Sequence, residues 1–229
     1  MTRSLRFLLM ALVLAAAVFL LGAGEARGQG TPDAASSQAV LMPVGSPPVS
    51  MFLVPNGTGT QLAGCYAFGG VITNVYILVT LNDVTGLPVP MVPATDVRIE
   101  ELQSPLAWCA NSWYPPPAHA PNLADGPSNA AGQTRFSLAY HGGGWVQGPT
   151  LIWVLEVTGA WMPIPTPVTV SYNSPDINGD LAVNLTDVGL FAMDFFSAVY
   201  NYRSDFNFDG AINLTDLSML APNIGVTCP

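Results

Sequence analysis

Two twelve-residue stretches hold the residues best suited to chemistry: DINGDLAVNLTD at 176–187 and DFNFDGAINLTD at 205–216. Only 9% of the chain is charged, so clustered aspartates here need a reason. Calcium supplies one. It is a hard cation that takes roughly six to eight oxygens, and a twelve-residue loop offers them from positions 1, 3, 5, the carbonyl of 7, a water held at 9 and a carboxylate at 12. In the second stretch Asp205, Asn207 and Asp209 fall at 1, 3 and 5, Ala211 gives its carbonyl at 7, Asn213 stands at 9 and Asp216 closes the loop. In the first, Asp176, Asn178, Asp180, Ala182, Asn184 and Asp187 fill the same places. The expectation is two calcium ions, one per loop, with the 205–216 site the better formed.

The two copies differ at position 6, where the loop turns sharply. Gly210 stands there in the second loop and Leu181 in the first. A leucine forced into the left-handed region costs about 1–2 kcal/mol, and Gly179 at position 4 is not expected to relieve it. The apolar residues at position 8, Val183 and Ile212, are expected to pair and couple the loops. Asn-Leu-Thr at 184–186 and 213–215 also fits a glycosylation sequon, but the loop already accounts for both asparagines. Each copy leads into a helix-compatible run, VGLFAMDFF (188–196) and LSMLA (217–221). Residues 174–227 are short for an independent core, so this region is expected to fold mainly with its metal.

The preceding residues have a different grammar. From about 38 to 172, short β-branched and aromatic runs alternate with Gly/Pro turns, which predicts strands over 71–81, 96–102, 133–140, 150–159 and 166–172. No convincing amphipathic helix appears, so an antiparallel sandwich is expected. The segment 104–131 has no clear period. Its Trp108, Trp113 and Tyr114 either stack on a sugar or cover apolar core. Asp83, Asp96, Glu100, Glu101, Asp125 and Glu156 are the carboxylates available to a glycosidase. Adjacent Glu100 and Glu101 would face opposite ways on a strand, and no pair stands out, so no catalytic residues are assigned and a non-enzymatic protein is expected.

Charge and targeting narrow the class. The chain has no lysine and a net charge of −9, which excludes nucleic acid as a partner because phosphate binding needs a basic face. Arg3 and Arg6 precede an apolar run from Phe7 to Leu21 and then small residues, the layout of a secretory signal peptide over residues 1–28. Export to the cell surface or beyond is expected, with no membrane span after cleavage. Cys65, Cys109 and Cys228 allow three single pairings. A Cys65–Cys109 bridge would close a loop of about 45 residues and add on the order of 4 kcal/mol.

The duplicated D-x-N-x-D-G-x-(I/V)-N-x-x-D pattern, with aspartate at 12 and a helix after each copy, resembles a type I dockerin over residues 174–227. That resemblance implies paired calcium loop–helix units that dock onto a cohesin or other cell-surface protein, often in polysaccharide-degrading assemblies. Cellulosomal members commonly carry basic residues at loop positions 17 and 18; here these are Ala192-Met193 and Ala221-Pro222. NDVTGLPVP and ADGPSNAAGQTRFSLA look like the turns of bacterial Ig-like domains, which implies an Ig-like sandwich over 38–172. The expected whole is an exported attachment protein; the alternative is a polysaccharide-binding or -degrading component delivered by its dockerin.

Overall fold

Alternation decides most of the strands. β1 (Gln38–Met42), β5 (Tyr76–Thr80), β6 (Val97–Glu100), β8 (Gln133–Phe136) and β10 (Leu151–Leu155) each bury every second side chain. That is the period-two signature of a strand with one face on a core. The computed structural model describes residues 30–100, 105–109 and 122–229, of which Thr31–Pro229 form one unit. The described residues are mostly β, with two short α-helices near the C-terminal end. The signal-peptide reading of residues 1–28, Glu101, Trp113 and Tyr114 lie outside the described residues.

Four small sheets surround the main core. One has the order β1-β5-β8; a second sets β10 between β6 and β11 (Trp161–Pro163). A third runs β12-β2-β3-β4, from β12 (Val170–Asn173), β2 (Val49–Phe52), β3 (Cys65–Ala67) and β4 (Val71–Thr73). The fourth pairs β7 (Ala107–Trp108) with β9 (Gly142–Gly143). All strand pairs are antiparallel except β12 with β2, where Val170 faces Val49 and Asn173 faces Phe52 in parallel. The expected antiparallel architecture therefore has one parallel seam. The run 71–81 is not one strand either. It breaks at Asn74-Val75, where the chain leaves the third sheet and enters the first. Trp161–Pro163, ringed by prolines, was not anticipated as a strand.

β2 and β12 break the alternation in an informative way, because all four residues of each are buried. Val49, Met51 and Leu53 join the main core, with Val170 and Tyr172. Phe52 and Val54 face the other way, into a second cluster with Ile177, Val183, Phe191, Phe206 and Leu220. The two loops and their helices thus cover the back of this sheet. Helix α1 (Leu185–Phe195) buries Asp187, Phe191 and Asp194 on one side, and α2 (Leu214–Leu220) buries Asp216 and Leu220. Phe206 sits between, stacked on Phe191 at 5.9 Å and edge-on to Phe52 at 5.5 Å. Burying such a ring contributes about 2–3 kcal/mol, and the β region adds Phe52 and Val54 to a core that residues 174–227 otherwise build themselves.

The cysteines pair otherwise than expected. Cys109 is bonded to Cys228, and Cys65 is free and buried. Cys65 points into the main core beside Leu62 and Ile77, where burial pushes its thiol up to about 12. Cys109 lies just past β7, donating its N–H to the His141 carbonyl, and there the C-terminal tail reaches it.

Candidate metal centre

The two loops repeat at the level of single hydrogen bonds. Asp176 Oδ1 accepts from Asp180 N at 3.2 Å and its Oδ2 from Leu181 N at 2.7 Å. Asp205 Oδ1 accepts from Asp209 N at 3.0 Å and its Oδ2 from Gly210 N at 2.9 Å. The fifth-position carboxylate accepts from the seventh N–H in both: Asp180 from Ala182 at 3.0 Å, Asp209 from Ala211 at 2.9 Å. Asn178 and Asn207 donate Nδ2 to that same carboxylate, each at 2.9 Å. The last aspartate accepts from the N–H of residue 3 and of residue 9: Asp187 from Asn178 and Asn184, Asp216 from Asn207 and Asn213.

Positions 9 and 12 do a second job that the metal reading alone does not reveal. Asn184 and Asn213 are the N-caps of α1 and α2, accepting from Thr186 N and Thr215 N at 2.8 and 2.7 Å. Asp187 and Asp216 return the bond to the cap's own N–H, completing a capping box in each case. The signal was present as Asn-Leu-Thr-Asp, an asparagine followed three residues later by an acid just before an apolar run.

Backbone conformation locates the strain in the turns. Leu181 is left-handed at φ 68°, as position 6 demands, and Gly210 is at φ 90°. Position 4 is left-handed too, in both loops: Gly179 at φ 72° and Phe208 at φ 55°. Gly179 leaves the strain at Leu181 in place, as expected, and each loop carries one non-glycine residue in the costly region. The pairing expected between Val183 and Ile212 is not made through the backbone, though both side chains join one apolar cluster. Val183 donates to Val226 O and accepts from Gly225 N, both at 2.8 Å. The C-terminal tail, anchored by Cys228, has taken the edge expected of the other loop.

Charge is concentrated where solvent is not. Asp176, Asp187, Asp205 and Asp216 are fully buried. Burial pushes the Asp176 carboxyl up to about 6, and the Asp187 and Asp180 charges push the same way. Burial likewise takes Asp216 up to about 6, with Asp205 adding to it. Asp205 is raised mainly by burial, against which Tyr200 donates its hydroxyl at 2.8 Å. Buried carboxylates that raise one another are stabilised by a shared cation. Among the described residues no three His, Cys, Asp or Glu side chains group closely enough to hold a metal by themselves. The donor set that fits a hard cation is mixed: Asp176, Asn178, Asp180, the Ala182 carbonyl and Asp187, then Asp205, Asn207, Asp209, the Ala211 carbonyl and Asp216. All are oxygens, the chemistry calcium takes.

The remaining candidates have structural partners. Trp108 packs edge-on against Tyr140 and Tyr172 at the margin of the main core, which is the core-covering alternative. Asp83 caps its own turn through Thr85 and Leu87, Glu100 pairs with Arg98, and Glu156 accepts from Ala34 N. A cavity of about 390 Å³ lies beside Arg135, Gln133 and Asn129, with Asp125 its one carboxylate, bonded to Ser137. No helix among the described residues is long and apolar enough to cross a membrane. No family model matches the chain, nor does any curated protein or solved structure.

Proposed function

We propose that this is an exported, non-enzymatic attachment protein, in which an Ig-like sandwich carries a dockerin-like pair of calcium loops that docks onto a cohesin-type or other cell-surface partner. The observation that carries the calcium reading is the bond-for-bond repetition of the two loops around buried aspartates. The docking reading draws support from the helix faces turned away from the sheet. Leu185, Gly189 and Met193 fall at one-turn spacing along α1, with Leu185 80% and Met193 69% exposed, and Phe196 at its end is 84% exposed. Leu214, the counterpart of Leu185, is 70% exposed. A soluble chain that leaves such residues uncovered offers a contact surface. Arg203, the sole cation after residue 173, is bonded to Asp194, so the contact is apolar rather than basic. The polysaccharide alternative gains nothing from Trp108.

Calorimetric titration of the chain from residue 29 tests this reading. Two calcium ions are expected to bind. Cohesin-type domains are expected to be retained in calcium, released by chelator, and lost with Met193→Asp. No calcium uptake at millimolar concentration, or retention indifferent to chelator, ends the proposal.

A further inference from the structure

The first ligand of each loop is held from the β region. Gly144 N donates to the Asp176 carbonyl at 2.6 Å. Beside it Gly143 lies so close that a Cβ there would fall inside the Asp176 carboxylate. In the second loop the Asp205 carbonyl accepts from Asn173 Nδ2 at 2.5 Å. Gly69 N and Gly70 N both donate to the Phe208 carbonyl, at 2.9 and 3.2 Å. Tyr202, just ahead of that loop, shares a buried hydrogen bond with Ser50 of β2 at 2.8 Å.

Asn173 is the informative residue. It ends β12, is fully buried, and its Oδ1 finds no hydrogen-bond partner among the described residues. A buried amide with an unsatisfied oxygen is costly. Its Nδ2 is the half that is used, and it is spent on the backbone of Asp205.

We propose that the β region positions both calcium loops, with Asn173 the positioning residue of the second, so that calcium binding and folding of the β region are one linked equilibrium. This rests on the calcium reading above. By reciprocity, whatever the β region contributes to ion affinity, the ion returns to the β region as stability. The calcium loops then act as a clamp on the sheet that carries them, beyond any docking role.

All five tryptophans lie before residue 162, so tryptophan fluorescence reports mainly on the β region, with Trp145 also sensing Tyr202 between the loops, edge-on at 6.5 Å. Thermal unfolding of the full chain is followed by that signal, with calcium and with chelator, while calorimetry counts bound ions. With both sites at a hundredfold excess of calcium over Kd, the midpoint is expected to rise by roughly 10 °C. Two bound ions with an unmoved tryptophan transition overturn the linkage and leave the calcium reading standing. No bound ion removes the calcium reading itself, and the linkage with it.

The role of Asn173 is read in two single-loop chains, one silenced by Asp180→Ala and one by Asp209→Ala. Asn173→Leu, which keeps the volume and loses the donor, is expected to weaken the second loop at least about tenfold and the first less than about threefold. Equal weakening of both loops marks a merely structural residue and overturns the assignment. Should Asn173→Leu fail to fold, the fluorescence measurement on the unsubstituted chain still decides the linkage.

Discussion

The two acidic loops share a frame but place their glycine differently. Loop one has Gly179 at position 4 and Leu181 at 6; loop two has Phe208 at 4 and Gly210 at 6. All four residues are left-handed, so both loops ask the same of their backbone. What surrounds each loop explains the choice. A Cβ on Gly179 would overlap the Pro105 carbonyl, so no side chain fits at position 4 there. At the matching place in loop two, the Phe208 ring packs edge-on against Phe68 and Tyr202 at 5.5 and 5.8 Å. That packing offsets a backbone cost of about 1–2 kcal/mol. The difference teaches that the β region packed around each loop decides which residue bears the strain.

The largest expected effect comes from the tail that loop one has and loop two lacks. Cys228 N donates to Leu181 O, and Ala182 bridges Thr227, so the disulfide holds the edge of loop one. Cys228→Ser should lower stability by about 2–5 kcal/mol and weaken loop one more than loop two. Denaturant unfolding and calcium titration of the two single-loop chains measure this. Equal losses in both loops would break the comparison.

Relieving the strained residue should have opposite signs in the two loops. Phe208→Gly removes a buried ring and should cost about 2–3 kcal/mol even after the backbone relaxes. Leu181→Gly should strengthen loop one by about 1 kcal/mol. Thermal melts in calcium read both; the same sign for both would mean the surroundings do not matter. Tyr200→Phe sharpens the comparison further. It removes the hydroxyl that braces Asp205, for which the hydrogen bonds found on Asp176 show no side-chain counterpart. Loop-two affinity should fall about tenfold, as for one hydrogen bond to a charged group, with loop one unchanged. Titration of the Asp180→Ala and Asp209→Ala chains separates the two.

The smallest effect concerns the link between the loops. Burial alone would raise the Asp194 carboxyl, but Arg203 and Ser204, with bonds at 2.7 and 2.6 Å, hold it below its ordinary range. A depressed carboxylate contributes stability that is complete above the unfolded value of about 3.9 and is lost as pH falls through the folded one. Arg203→Met should therefore flatten the acid limb of the stability profile and leave its slope above pH 6 alone. Unfolding measured from pH 2 to 7 tests this, and an unchanged acid limb would rule it out.

The loop register was readable from sequence because Asp205, Asn207, Asp209 and Asp216 keep the fixed spacing of oxygens that a calcium loop would require, and the same spacing recurs at 176–187. The left-handed leucine was readable for the same reason. Position 4 was not, because Phe208 tolerates its conformation through contacts with Phe68, which lies 140 positions away. Val183 shows the same limit: its apolar character announced a pairing, but whether with Ile212 or with Val226 depends on where the tail is tied. Alternation placed β5, β6, β8 and β10. It could not show that Ser50 and Phe52 of β2 face helices rather than solvent, since a strand buried on both sides looks the same whatever covers it. The disulfide was open among three pairings until Cys65 was found inside the main core.

The bond between Cys109 and Cys228 spans 119 positions, and everything between them is one covalent ring. That ring contains both acidic loops, both helices and every strand from β8 to β12. A protease that cuts the backbone once inside it releases nothing: the nicked chain remains a single molecule, its new ends held by the sulfur link and by the sheets. Only a cut ahead of Cys109 can shed a fragment. Reducing gels of a nicked preparation should show two pieces where non-reducing gels show one.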